Sequence, residues 1–124
     1  MIVGEVNPSR EALIRLALAG PAGRRVELDA IIDTGFTDFL TVPRQVIEEL
    51  GLRFRESMAY ELANGELDMF DLYEGKVLWD GRWREVIVSL AEGGPLVGMG
   101  LMEGCRLSVD VTDGGRVEIR PLGA

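Results

Sequence analysis

The tripeptide Asp33-Thr34-Gly35 is the part of this 124-residue sequence best suited to acid–base chemistry. It follows the apolar run Ala30-Ile31-Ile32, which is typical of a strand entering a core. A carboxylate at the end of a buried strand is costly to remove from water, so it indicates function more strongly than a surface acid would. Two carboxylates about 3 Å apart share one proton and can act together as base and acid. The tripeptide occurs once, so a symmetric pair needs a second copy of the chain.

The composition argues against several other kinds of catalysis. The sequence contains no histidine and one cysteine, Cys105. It therefore lacks the residues for His-dependent triads, Cys-His nucleophiles, most zinc sites and an internal disulfide. We expect no metal and no cofactor, and chemistry performed by carboxylates, hydroxyls, backbone groups and water.

Charge and hydropathy narrow the range of partners. The formal net charge of −8 argues against binding to a phosphate backbone, so no nucleic-acid partner is expected. No apolar run is long enough to span a bilayer, so no membrane partner is expected either. Residues 1–5 lack the basic start and apolar block of a secretion signal, which predicts a cytoplasmic location.

Length and periodicity predict one mostly β domain, residues 1–124, with one main helix. Residues 11–13 could equally begin a helix, since Ala and Leu favour one, but the Gly-Pro turn at 20–23 and the strand beyond it at 25–29 favour a hairpin. The main helix is predicted to open at Thr41-Val42-Pro43 and to stop at Gly51. The strands are predicted at 2–6, 13–18, 25–32, 58–62, 67–73, 76–79, 83–88, 106–111 and 116–119, with a short strand, a turn and a brief helix over 96–102.

The dipeptide Asn64-Gly65 marks a hairpin between two of these strands. Asn and Gly both tolerate positive φ, which a two-residue hairpin turn requires at both positions. A second hairpin is predicted through Asp80-Gly81-Arg82.

Four features accompany the Asp33 tripeptide in order along the chain. An apolar strand precedes it, and a hairpin with a Gly-containing tip lies about thirty residues after it. Leu96-Val97-Gly98 then precedes a short apolar segment, Leu101-Met102, and a closing strand pair follows. Together with the tripeptide, these features resemble the retropepsin-like aspartic proteases, in particular their small prokaryotic members, over nearly the whole chain.

The resemblance implies a closed, six-stranded-type β-barrel that forms a homodimer with its cleft on the twofold axis. It implies that Asp33 is the catalytic carboxylate, that Thr34 braces the loop against its dimer mate and that Gly35 permits the turn. The hairpin tip Ala63-Asn64-Gly65 would be a flap that, with Phe36, contacts a peptide or protein substrate. Leu96-Val97-Gly98 would pack behind the active-site loop.

Two positions depart from the family pattern. Phe36 stands where members commonly carry a small residue, and its ring would fill part of the cleft. Gly100 replaces a polar residue, so a bond that braces the loop must be made in another way.

Three alternatives remain open from the residues. Asp33 could be an ordinary turn residue that caps backbone N–H groups, in a monomeric β-barrel. The chain could be a catalytically inactive module with a protease fold that binds peptides or dimerises. Asp110 and Asp113 are rival acids, but Asp113 lacks a preceding apolar run and reads as a plain turn residue.

Overall fold

The computed structural model describes residues 1–123, so the predicted domain 1–124 extends one residue beyond the described part. The chain is mostly β, as predicted. Its elements are β1 (Ile2–Val6), β2 (Ala12–Ala19), β3 (Arg25–Ile32), β4 (Leu40–Val42), α1 (Arg44–Leu50), β5 (Arg53–Glu61), β6 (Leu67–Trp79), β7 (Arg82–Leu90), β8 (Leu96–Val97), α2 (Met99–Met102), β9 (Cys105–Val109) and β10 (Arg116–Pro121).

All ten strands belong to one sheet, in the order β5-β6-β7-β4-β8-β3-β2-β1-β10-β9. An additional pairing joins β6 to β2, so the sheet folds back on itself. The strands β5 and β9 stand at its two ends. The closed barrel that the resemblance implies stays a prediction.

One apolar cluster fills the space inside the folded sheet. The sequence predicts that Val46, Ile47 and Leu50 share the apolar face of the helix. In α1, Ile47 and Leu50 are buried and Val46 is partly buried against the core, and burial of a side chain such as Ile47 or Leu50 contributes about 1.5–3 kcal/mol. The helix ends at Gly51, which has φ 61°, and the N–H of Leu52 donates to the carbonyl of Ile47. Within residues 1–123, neither helix has the length and apolar character needed to cross a bilayer.

The helix begins later than predicted, because the residues before it form a strand. Residues 40–42 are buried and pair with β7 and β8, and Pro43 is extended at the helix N-cap. Pairing with strands distant in sequence outweighs the local preference for a helix.

The two strands predicted at 67–73 and 76–79 are one continuous strand, β6, of 13 residues. Gly75 does not break it. A Cβ atom on Gly75 would lie 3.0 Å from Val88 Cγ2 and 3.2 Å from Leu18 Cδ1, so this glycine allows close packing rather than a turn. The strand β6 pairs with β5 in its first part and with β7 and β2 further on.

Candidate active site

Asp33 lies where β3 leaves the sheet. Its backbone N–H donates to the carbonyl of Val97 at 2.9 Å, and the short strand that contains Val97, β8, is parallel to β3 and antiparallel to β4. In the single chain Asp33 is half-buried, whereas Thr34 and Gly35 are exposed. The turn that carries the candidate carboxylate is therefore accessible at the surface of one copy.

The tripeptide forms a tight side-chain turn. Asp33 Oδ1 accepts a hydrogen bond from the N–H of Gly35 at 2.9 Å, and the Asp33 carbonyl accepts one from the N–H of Phe36 at 3.2 Å. Gly35 is not among the glycines with positive φ. Gly35 instead leaves space for the Asp33 carboxylate, because a Cβ atom at position 35 would lie 3.3 Å from Asp33 Oδ1.

Residues 96–100, which we call the backing segment, hold residues 33–39, the Asp33 loop. The N–H of Gly98 donates to the Phe39 carbonyl at 3.0 Å, and that of Met99 donates to the Phe36 carbonyl at 2.8 Å. The N–H of Gly100 donates to the Asp38 carbonyl at 3.0 Å. These backbone bonds brace the loop where the family pattern would use a polar side chain at position 100.

Gly98 and Phe36 compensate for one another. A Cβ atom on Gly98 would lie 2.6 Å from Phe36 Cδ2, so the ring of Phe36 packs directly over a residue that has no side chain. Phe36 is half-buried in this position. The unusual size of Phe36 is thus accommodated by the backing segment.

The predicted flap is the hairpin of residues 53–73, which we call the flap hairpin. Its tip is a three-residue loop, Ala63-Asn64-Gly65, closed by the Leu62 N–H on the Glu66 carbonyl at 2.7 Å. The hairpin predicted at Asn64-Gly65 is present, since β5 pairs with β6, but Asn64 is not among the residues with positive φ while Gly65 has φ 84°, so the turn is not the type that needs positive φ at both positions. Asn64 instead accepts the Glu66 N–H on its Oδ1 at 3.0 Å. The dipeptide Asn-Gly in the sequence is compatible with either kind of turn.

A tyrosine links the flap hairpin to the Asp33 loop. The Tyr60 hydroxyl donates to Asp38 Oδ2 at 2.9 Å, and the Tyr60 ring meets Phe70 edge to face at 5.2 Å between centroids. Sequence reasoning missed both Tyr60 and Asp38. The available signal was the position of Asp38, five residues after Asp33 on the same loop.

Burial raises the pKa of the Tyr60 hydroxyl above its ordinary value of 10.0, and the hydrogen bond to Asp38 and the charges of Asp38 and Glu56 act in the same direction. Tyr60 is therefore a neutral hydrogen-bond donor across the physiological range.

The sequence-predicted site residues fall into two groups. Asp33, Thr34, Gly35 and Phe36 share the Asp33 loop, whereas Ala63, Asn64 and Gly65 form the exposed flap tip. No hydrogen bond joins the tip to that loop within residues 1–123, and the link is made three residues earlier, at Tyr60.

The rival acids Asp110 and Asp113 are exposed next to and within the turn that precedes β10. Among residues 1–123, no group of three or more His, Cys, Asp or Glu side chains is arranged to hold a metal ion.

Comparison with known proteins finds a likeness in structure. No family model matches the sequence, and no curated protein matches it either. The chain is similar in structure to a retropepsin-like aspartic protease from Rickettsia conorii, known from a crystal structure, with a TM-score of 0.55. The two are 13% identical, and the match covers 96% of this chain and 90% of that one. The likeness shows a retropepsin-like fold, as the sequence resemblance suggested.

Proposed function

We propose that this chain is a single-domain aspartic endopeptidase that acts as a homodimer. Asp33 of each copy contributes one carboxyl group to a shared catalytic dyad. The observation that carries the proposal is the position of Asp33 at the end of β3, on an exposed turn braced from behind by the backing segment. A retropepsin-like fold supports it.

The chemistry follows from two carboxyl groups that share one proton. The ionised Asp33 takes a proton from a bound water, and the oxygen of that water attacks the carbonyl carbon of the peptide. The protonated Asp33 donates to the carbonyl oxygen, which gives a tetrahedral gem-diol. The first carboxyl group then passes the proton it took from water to the amine as the C–N bond breaks, and a hydroxyl of the gem-diol returns a proton to the second carboxylate. General acid–base catalysis of this kind contributes typically about 10²–10⁴-fold, and needs no metal or cofactor.

The hydrogen bonding of Asp33 suits this role. Oδ1 is held by the Gly35 N–H, and this is the hydrogen bond that the side chain makes within residues 1–123. Oδ2 is therefore available to water or to a second carboxyl group. In the proposed dimer, exposed Thr34 braces the loop against its mate, and burial of the paired loops supplies the water exclusion that one copy lacks.

The flap hairpin would cover an extended peptide or protein substrate, with Ala63-Asn64-Gly65 above it and Phe36 beside it. A mobile hairpin that closes after substrate entry excludes water and positions the scissile bond.

The test is Asp33→Asn, which keeps the size of the side chain and an acceptor for the Gly35 N–H. We expect cleavage of a peptide library, followed by mass spectrometry, to fall by at least about 10³-fold, while sedimentation still shows a dimer. Asp113→Asn is the matched control, because it removes an exposed turn carboxylate and should leave cleavage unchanged. Cleavage retained by Asp33→Asn rejects the mechanism.

A second candidate is an inactive peptide-binding or dimerisation module. The hydrogen bond from Gly35 N–H to Asp33 Oδ1 favours it, because a purely structural turn would make the same bond. Peptide binding by the unmodified chain without any cleaved product would establish this candidate in place of the protease.

A further inference from the structure

Tyr60 stands apart from the rest of its strand. It is the one residue of β5 that is not exposed. Its cross-strand partners in β6 place it on the face that also carries Met58, Phe70 and Leu72, and Leu72 is buried. This face of the flap hairpin therefore turns towards the protein.

Within the described chain, the Tyr60–Asp38 bond is the side-chain hydrogen bond that joins residues 53–73 to another part of the fold, whereas the base of the hairpin is held by pairing of Leu72 and Tyr73 with β7. The other side-chain hydrogen bonds of residues 53–73 within the described chain stay inside the flap hairpin, such as Ser57 to Asp71 at 2.6 Å and Glu66 to Asn64 at 3.0 Å. By contrast, Tyr60 and Asp38 are 22 positions apart and belong to different parts of the fold.

Asp38 is a fixed anchor for that bond. Its carbonyl oxygen accepts the N–H of Gly100 at 3.0 Å and lies within 2.2 Å of where a Cβ atom of Gly98 would be. The backbone of Asp38 is therefore held by the backing segment that also holds Asp33. A group bonded to the Asp38 carboxylate has its position set relative to the candidate catalytic acid.

We propose that Tyr60 and Asp38 are positioning residues that hold the flap hairpin at a set height over the Asp33 loop. The catalytic consequence rests on the proposed protease function, whereas the effect on the hairpin does not. Tyr60 acts through the placement of the flap and does not touch the reacting atoms. Its loss should therefore raise KM for a peptide and leave kcat little changed.

The first test is hydrogen–deuterium exchange of the free protein, read by mass spectrometry. Tyr60→Phe keeps the ring and its contact with Phe70 and removes only the hydroxyl. We expect amide exchange in β5 and the flap tip to rise roughly 3- to 10-fold, the equilibrium effect of losing one hydrogen bond. Exchange in the core strand β2 serves as the internal reference and should not change.

The matched control is Tyr73→Phe, on the other strand of the same hairpin. Tyr73 meets Phe54 edge to face at 5.6 Å, and its hydroxyl makes no side-chain hydrogen bond within residues 1–123. We expect this variant to leave exchange at the flap tip unchanged.

Substitutions of Asp38 test the other partner. Asp38→Ala removes the carboxylate that accepts the Tyr60 hydrogen bond, so amide exchange should increase as it does in Tyr60→Phe. The backbone hydrogen bond from the Gly100 N–H to the carbonyl of residue 38 is kept, so only the side-chain acceptor is lost. Asp38→Asn retains a side-chain oxygen acceptor and should give an intermediate increase. The double variant of Tyr60→Phe and Asp38→Ala should exchange no faster than Asp38→Ala alone, since both changes remove the same bond.

The outcomes separate this inference from the proposed function. Unchanged flap exchange in Tyr60→Phe, or additive effects in the double variant, would overturn the pairing whether or not peptides are cleaved. Faster exchange in a chain that cleaves no peptide would retain the pairing and reject the protease. In an active protease, a fall in kcat with KM unchanged would overturn the positioning role.

Discussion

Gly98 lies so close to Asp38 that a Cβ atom on it would stand 2.2 Å from the Asp38 carbonyl oxygen. The same atom would lie 2.8 Å from the Phe36 carbonyl oxygen. Both oxygens accept backbone N–H groups of the backing segment, so neither can move away without loss of a hydrogen bond. The absence of a side chain at position 98 is what lets the Asp33 loop rest on that segment.

Gly98→Ala should therefore destabilise the fold. We expect the free energy of unfolding in urea to fall by at least about 2 kcal/mol, because the methyl group meets backbone rather than a flexible side chain. The matched control is Gly94→Ala, on the exposed approach to β8, where the new Cβ would meet the end of the Ile31 side chain at 3.3 Å. That change should stay within about 0.5 kcal/mol. Equal losses in the two variants would contradict the close approach described at Gly98.

Mixing experiments test whether two copies share one site. When the unmodified chain is equilibrated with an equal amount of Asp33→Asn, random pairing should leave about half the activity that the unmodified chain has alone. The loss arises because mixed dimers carry one carboxyl group of the pair. Mixing with Asp113→Asn should instead raise activity. If Asp33→Asn leaves the rate of the unmodified chain untouched, each chain works alone and the dyad is wrong.

The ionisation of Tyr60 should be visible in an alkaline titration. The sequence has two tyrosines, so the difference in tyrosinate absorbance between the unmodified chain and Tyr60→Phe isolates Tyr60. Because burial and Asp38 raise the pKa of Tyr60, we expect a midpoint above 10.0. As the pH rises past 10, the tyrosine in the unfolded chain loses its hydroxyl proton before Tyr60 in the folded chain does. Tyr60 therefore stabilises the fold below pH 10, and that stabilisation falls as the pH rises through the raised pKa of Tyr60. A midpoint at or below 10 would contradict the contact.

Charge around the proposed cleft should favour basic peptides. The Asp33 loop (residues 33–39) and the flap hairpin (residues 53–73) together contain two basic residues, Arg53 and Arg55, and seven acidic ones: Asp33, Asp38, Glu56, Glu61, Glu66, Asp68 and Asp71. For peptides of equal length, we expect kcat/KM to be about 10-fold higher with Lys or Arg flanking the cleaved bond than with Asp or Glu, at low ionic strength. Raising the salt concentration should shrink the difference, because these charges are mostly exposed. A preference for acidic peptides, or none at low salt, would contradict this expectation.

Much of the Asp33 loop could be predicted from the sequence because its signals are local. An apolar strand, a side-chain turn and a later apolar-apolar-Gly segment are each readable in a few residues, and the structure brings these segments together. The end of α1 at Gly51 is local in the same sense, since Gly adopts φ 61° without the steric cost that a Cβ atom adds.

The features that sequence reasoning missed depend on contacts between distant positions. The strand β4 has three residues, too few for a periodic pattern, and it exists because β7 and β8 pair with it. The Tyr60–Asp38 bond depends on which face of the flap hairpin points inwards, and alternation within a strand cannot decide that. The strands predicted at 67–73 and 76–79 are continuous through Gly75, because its tight packing against Val88 and Leu18 depends on residues distant in sequence.

The continuous strand β6 limits how this protein can vary in length. One residue inserted or deleted inside β6 would reverse the facing of every side chain beyond it, so Val77 and Trp79 would leave the interior and their neighbours, charged Lys76 among them, would turn towards it. Next to the loop Ala63-Asn64-Gly65, β5 and β6 can each gain the same number of residues without that reversal. Natural size variation in this part of the molecule should therefore be concentrated at the hairpin tip.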